Sequence, residues 1–169
     1  MKKINVFVFS LILITFSNCS IVHYWQSSNA TWEETVTFID NHKNHITTLY
    51  ASRLDYENNA KTIETIVLED NIMVIKIKQN DSNEAVLSFK IPLKNINSVE
   101  EYGNFFRISS HGSYFNQYLD LELTQSYEEL TLQSMDYEMF PRLYKAFSHI
   151  ATLATKKRQQ DRKDKKEKF

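Results

Sequence analysis

Residues able to carry chemistry are few in this 169-residue chain, and they are scattered. Cys19 is its only cysteine, so thiolate zinc sites cannot be built. His42 and His45, in "HKNH", stand at i, i+3 on an expected helix that also carries Glu33, Glu34 and Asp40. Two imidazoles there could hold zinc or copper weakly. The H-E-x-x-H arrangement with its general base is absent, so solvent-facing histidines are the expectation. Asp81 opens "DSNEA", which imitates the start of a calcium loop but has no Gly at the sixth position and no Glu at the twelfth. That stretch reads as a hairpin loop. Ser109, Ser110 and His111 are adjacent, and neighbours on a strand point to opposite faces. No G-x-S-x-G elbow accompanies them. With Gly103 and Gly112 as the only glycines, neither a P-loop nor a dinucleotide fingerprint can be written. No metal, no cofactor and no catalytic set is expected.

One further row of polar residues stands out. In "SYFNQYLDLEL", read as one strand, Tyr114, Asn116, Tyr118, Asp120 and Glu122 share a face, while Phe115, Leu119, Leu121 and Leu123 form the opposite row, apolar except for Gln117. Acid/base pairing of Asp120 with Glu122 would need two carboxyls ~5–10 Å apart across a cleft. A half-buried strand with a solvated outer face is the simpler reading. The tyrosines still make Tyr114, Tyr118, Asp120 and Glu122 the best candidate contact surface, because Tyr offers large area at low entropy cost.

Cys19 is placed by what precedes it. Met1-Lys2-Lys3 is followed by an apolar run from about Val6 to Phe16. A helix of that length rises ~16 Å, about half of a ~30 Å hydrocarbon core. A charged start, a short apolar centre and small polar residues describe a secretory signal over residues 1–18. The sequence "FSNC" resembles a bacterial lipobox, in which the Cys receives lipid. Ser17 and Cys19 fit that pattern, while Phe16 and Asn18 stand where Leu and a small residue are usual. The resemblance implies a lipid on Cys19, a tether over 19–30, and a cell-envelope location, periplasmic or outer-membrane. Plain secretion after ordinary cleavage is the alternative, as is an uncleaved segment.

Charge divides the chain. Residues 19–155 hold 10 Lys/Arg against 18 Asp/Glu, whereas "KKRQQDRKDKKEKF", 156–169, holds 8 against 3. Nucleic-acid binding by that basic tail would need stacking aromatics, and only Phe169 is aromatic. Attraction to anionic lipid fits its charge. A solvated helix end is the plainer alternative.

The elements that must position these residues follow from periodicity. "TWEE" from Thr31 is a capping box. Trp32, Val36, Ile39 and Ile46 at helical spacing predict a helix running to about Thr47 or Thr48. From Arg53 to about Gln133 the period becomes two. "TIETIVL" and "IMVIKIK" flank Glu69-Asp70-Asn71, a tight hairpin, and Gly103 and Gly112 fall in turns. "YEELTL" is the last short strand, giving seven or eight in all. Phe140, Leu143, Tyr144, Phe147, Ile150, Ala151 and Ala154 predict a C-terminal amphipathic helix beginning near Glu138–Phe140, with Pro141 in its first turn.

This order resembles the pleckstrin-homology-like superfold. "FKIPLKNINSV", 89–99, is similar to the strand–Pro–strand passage of bacterial PH and GRAM domains, and "RLYKAFSHIATLATKK", 142–157, to the helix that plugs their barrel. The resemblance spans about residues 60–157 and implies an α+β domain over 31–155, a bent antiparallel sheet or partial barrel with an added N-terminal helix. A lipocalin-like barrel is the structural alternative. Some PH-like families bind phosphoinositides through Lys/Arg clustered in the first hairpins, where this chain has Lys76 and Lys78. The expected function is therefore a membrane-tethered binding or scaffolding module with a protein or peptide partner. A carrier of a small hydrophobic ligand is the alternative, and a secreted hydrolase is disfavoured.

Overall fold

The computed structural model describes residues 29–51, 60–78, 86–112 and 114–166. The expected signal with Cys19, most of the expected tether, residues 79–85 with the expected hairpin loop, and the end of the tail lie outside the described residues.

Thr31 starts helix α1 (Trp32–His42) as its capping box dictates: its hydroxyl accepts from the Glu34 amide at 3.2 Å, and the Glu34 carboxylate accepts from the Thr31 amide at 2.8 Å. The helix buries Thr35, Phe38 and Ile39. It ends earlier than the spacing predicts. A single tight turn, Lys43–His45, follows, and Ile46 opens the first strand. "ITTLY" is rich in β-branched residues, and with Leu49 fully buried it packs as a strand.

Among the described residues nine strands follow in one antiparallel sheet: β1 (Ile46–Tyr50), β2 (Ala60–Glu69), β3 (Ile72–Ile77), β4 (Leu87–Pro92), β5 (Ile96–Tyr102), β6 (Phe105–Ser110), β7 (Phe115–Leu119), β8 (Glu122–Tyr127) and β9 (Glu129–Ser134). Their order is β5-β6-β9-β1-β2-β3-β4-β7-β8. In a flat sheet β4 and β5 would stand about 29 Å apart at ~4.8 Å per strand. Yet only Leu93–Asn95 join them, a link that spans ~14 Å at most. β8 passes into β9 through Glu128 alone. The sheet must therefore bend back on itself, and β4/β5, β7/β6 and β8/β9 are halves of three long strands broken at the bend. Nine described strands appear where the period-two pattern suggests seven or eight because Ile46–Tyr50 is a strand where a helix is expected and the segment read as one strand around Asp120 divides into β7 and β8.

The turns follow local chemistry. Glu69 pairs with Ile72, leaving Asp70 and Asn71 as a two-residue turn with φ of 49° and 62°. Asp and Asn tolerate that left-handed geometry, which matches the twist of the hairpin. Gly103 has φ of 63° and Gly112 of 98°.

One further turn divides a segment that reads as continuous. "SYFNQYLDLEL" is not one strand: Leu119 pairs with Glu122 around Asp120 and Leu121, and Asp120 has φ of 53°. Asp120 and Glu122 therefore do not sit at i, i+2 on one strand face. The alternation of Leu with acid conceals the turn, because both the strand and its reversal keep the same polarity pattern.

Helix α2 (Phe140–Lys166) is 27 residues long. It starts where expected, because the Asp136 carboxylate accepts from the amides of Glu138 at 3.0 Å and Met139 at 2.9 Å. The bond from the Met139 amide is the main reason the Asp136 carboxyl lies below its usual range; burial opposes it, and the Glu138 amide and the His45 ring add to the lowering. The helix continues through the basic stretch expected as a tail, and every position from Gln159 to Lys165 is exposed.

One core unites the sheet and both helices. Phe89, Phe106, Phe115 and Phe147 are fully buried with Ile75, Ile91, Met73 and Leu132. Phe106 meets Phe147 with ring centroids 5.0 Å apart, where α2 crosses the sheet. Truncating one such Phe costs about 3–5 kcal/mol. A lipocalin-like carrier would keep this space open, and here large side chains fill it.

Candidate functional site

The β7–β8 hairpin carries most of the expected contact residues, and it is held rigidly. The Asp120 carboxylate accepts from the Val86 amide at 2.8 Å, and the Asp120 amide donates to the Val86 carbonyl at 2.8 Å. This reciprocal pair ties the hairpin tip to the start of β4. Asp120 is thus a positioning residue of the turn. Behind it, Gln117 Nε2 donates to Thr124 Oγ1 at 3.1 Å, Ser126 Oγ donates to Asn116 Oδ1 at 2.8 Å, and the Tyr127 hydroxyl donates to Gln117 Oε1 at 2.8 Å. Burial raises the pKa of Tyr127, in the direction that favours the protonated hydroxyl making this bond.

Of the four candidates, Tyr118, Asp120 and Glu122 gather at the tip. Tyr118 lies under the Lys90 ammonium, 4.4 Å from ring centroid to Nζ. Tyr114 precedes β7 at its far end, about 17 Å along the strand at ~3.4 Å per residue. It is half exposed but does not join the others.

What the sequence pattern hides is apolar. Leu121 is 93% exposed, Leu123 56%, Leu119 43% and Val86 44%. The leucines read as the buried row of a strand, but the turn at Asp120–Leu121 turns them out to solvent instead. Single exposed leucines are ordinary. Three around one hairpin tip beside an exposed valine make a patch with few structural reasons to exist. The one available hint was Asp120 itself, a turn-forming residue interrupting an otherwise regular strand.

The other expected chemistry does not assemble. His42 and His45 have ring centroids 6.2 Å apart, but both are half-buried and bonded: His42 Nδ1 lies 2.8 Å from the Phe38 carbonyl, and His45 Nδ1 2.8 Å from Asp136 Oδ2. They are fold contacts more than solvent-facing groups. Among the described residues no group of three or more His, Cys, Asp or Glu is placed to hold a metal. Ser110 Oγ donates to the carbonyls of Gly112 and Glu128, and His111 is exposed. Cys19 and "DSNEA" lie outside the described residues.

The opposite end of the molecule is built around α2. Asn71 accepts from Trp32 Nε1 at 2.8 Å through its side chain and from the Leu93 amide at 2.9 Å through its carbonyl, joining α1, the β2–β3 turn and the β4–β5 link. Arg158 donates to the Lys94 carbonyl at 2.6 Å, and also to Ile96 O and Asn97 Oδ1, fastening α2 to that link. Between these parts lies a groove of about 560 Å³ lined by Trp32, Pro92, Lys94, Leu153 and Lys157. β4 separates this end from the hairpin tip by its six residues, roughly 20 Å.

No protein-family model, curated protein or solved structure matches the chain. Among the described residues, no helix is long and apolar enough to cross a membrane.

Proposed function

We propose that this chain is a membrane-tethered binding module of the bacterial cell envelope, held by a lipid on Cys19 and presenting the β7–β8 tip to a protein partner, with no reaction of its own. We also read the domain as PH-like, which the bent antiparallel sheet and the C-terminal helix across it support. The observation that carries the binding reading is the rigid tip with Leu119, Leu121 and Leu123 exposed on an otherwise filled fold. A partner surface that fits it has an apolar recess with a basic rim, because Asp120 and Glu122 flank the leucines.

A photo-crosslinking residue at position 121, in cells, tests this. The account expects one adduct of defined mass, absent when the same residue stands at the exposed Glu69 on another hairpin. Adducts at 121 that match those at 69, or none at either, would count against a specific partner at the tip.

A further inference from the structure

We infer that the outer face of α2 is a basic ridge that lies against an anionic lipid surface, fixing the domain with its helical end toward the membrane. Lys145, His149, Thr152, Lys156, Gln159 and Lys163 recur at i, i+4, i+7, i+11, i+14 and i+18, which places them on one side of the helix. The buried Leu143, Phe147, Ile150 and Ala154 occupy the opposite side. The described helix carries two acids, Asp161 and Asp164, and at 100° per residue they stand about 140° and 80° away from Lys156. Five residues of this row are exposed, His149 being half-buried, and the three lysines make no ion pair among the described residues. From Lys145 to Lys163 the ridge runs ~27 Å, with no acid along it.

A second observation selects a membrane as the occupant. The Ala30 carbonyl lies 2.8 Å from His149 Nε2, so the root of the tether is pinned onto this same row, seven residues before Lys156. A chain held by lipid at Cys19 through residues 19–30 would bring the ridge to the surface that holds the lipid. Near an anionic leaflet each basic residue multiplies partitioning roughly fivefold, with Asp161 on the far side of the helix and Asp164 on its flank, neither within the row. The leucine tip, at the other end of β4, is then directed away from the membrane.

The inference rests on the tethered reading but fails separately from it. The experiment uses the full chain with a fluorescent amino acid at position 152 or 121, on vesicles carrying a headgroup quencher. The expected result is quenching at 152 but not at 121 with phosphatidylglycerol present. It should weaken as salt rises, and the docking equilibrium should fall on the order of 100-fold in the Lys145→Gln, Lys156→Gln, Lys163→Gln triple variant. Equal quenching on pure phosphatidylcholine, or in the triple variant, would overturn it. So would quenching that requires an added acidic protein, which would assign the ridge to that class of partner. If Cys19 carries no lipid, salt-resistant association with vesicles is lost while the salt-sensitive quenching at 152 persists.

Discussion

The two ends of this molecule use their exposed residues differently. At the helical end the polar groups that turn inward join elements of the fold: Arg158 holds the β4–β5 link, Asn71 holds Trp32 and Leu93, and Asp136 holds the first turn of α2. At the hairpin end the backbone is equally well fixed, through Asp120 and Val86, yet the side chains it fixes are leucines in water. A rigid turn that displays apolar groups gains nothing for the fold, since exposed apolar surface stabilises nothing until it is covered. The contrast separates residues that build the domain from residues available for something else.

Three substitutions test this contrast. Arg158→Ala should have the largest effect on stability, a loss of about 1–2 kcal/mol in urea unfolding, because a half-buried charged donor leaves two carbonyls without it. A loss within error would mean that the helix end is not fastened as described.

Asp136→Asn acts through pH. The folded carboxyl lies below its unfolded value near ~3.9, so its contribution is present above that pH and is lost as pH falls through the folded value. The wild type should lose stability on acidification below about pH 4 more steeply than the Asn variant. Parallel profiles would show that this carboxylate is not the group responsible.

Leu121→Ser should have the smallest effect, within about 0.5 kcal/mol of wild type by the same unfolding measurement, while abolishing the adduct formed by a photo-crosslinking residue at the neighbouring exposed position 123. A clear loss of stability would move Leu121 from the second class of residue to the first.

The sequence made the same distinction only in part. The capping box at Thr31, the Asp70–Asn71 turn and the start of α2 were legible because each depends on residues a few positions apart. The bend of the sheet was expected only through the resemblance to PH-like domains, since a strand broken across two halves keeps its alternation on both sides of the break. The early end of α1 was missed because Ile46 continues a helical spacing by coincidence while serving a strand. The leucine tip was missed for the most instructive reason. Period two does not reveal where a strand reverses, and Asp120 offers a turn without the glycine that usually announces one.

The proposed role depends on the lipid at Cys19, and the intact mass of the protein from the membrane fraction, wild type beside Cys19→Ala, reads that lipid. The account predicts a mature chain beginning at Cys19 with acyl chains attached, and loss of that species in the variant. A soluble product cut elsewhere, identical in both, would contradict the membrane-tethered reading and leave the hairpin tip as the contact surface of a free secreted domain.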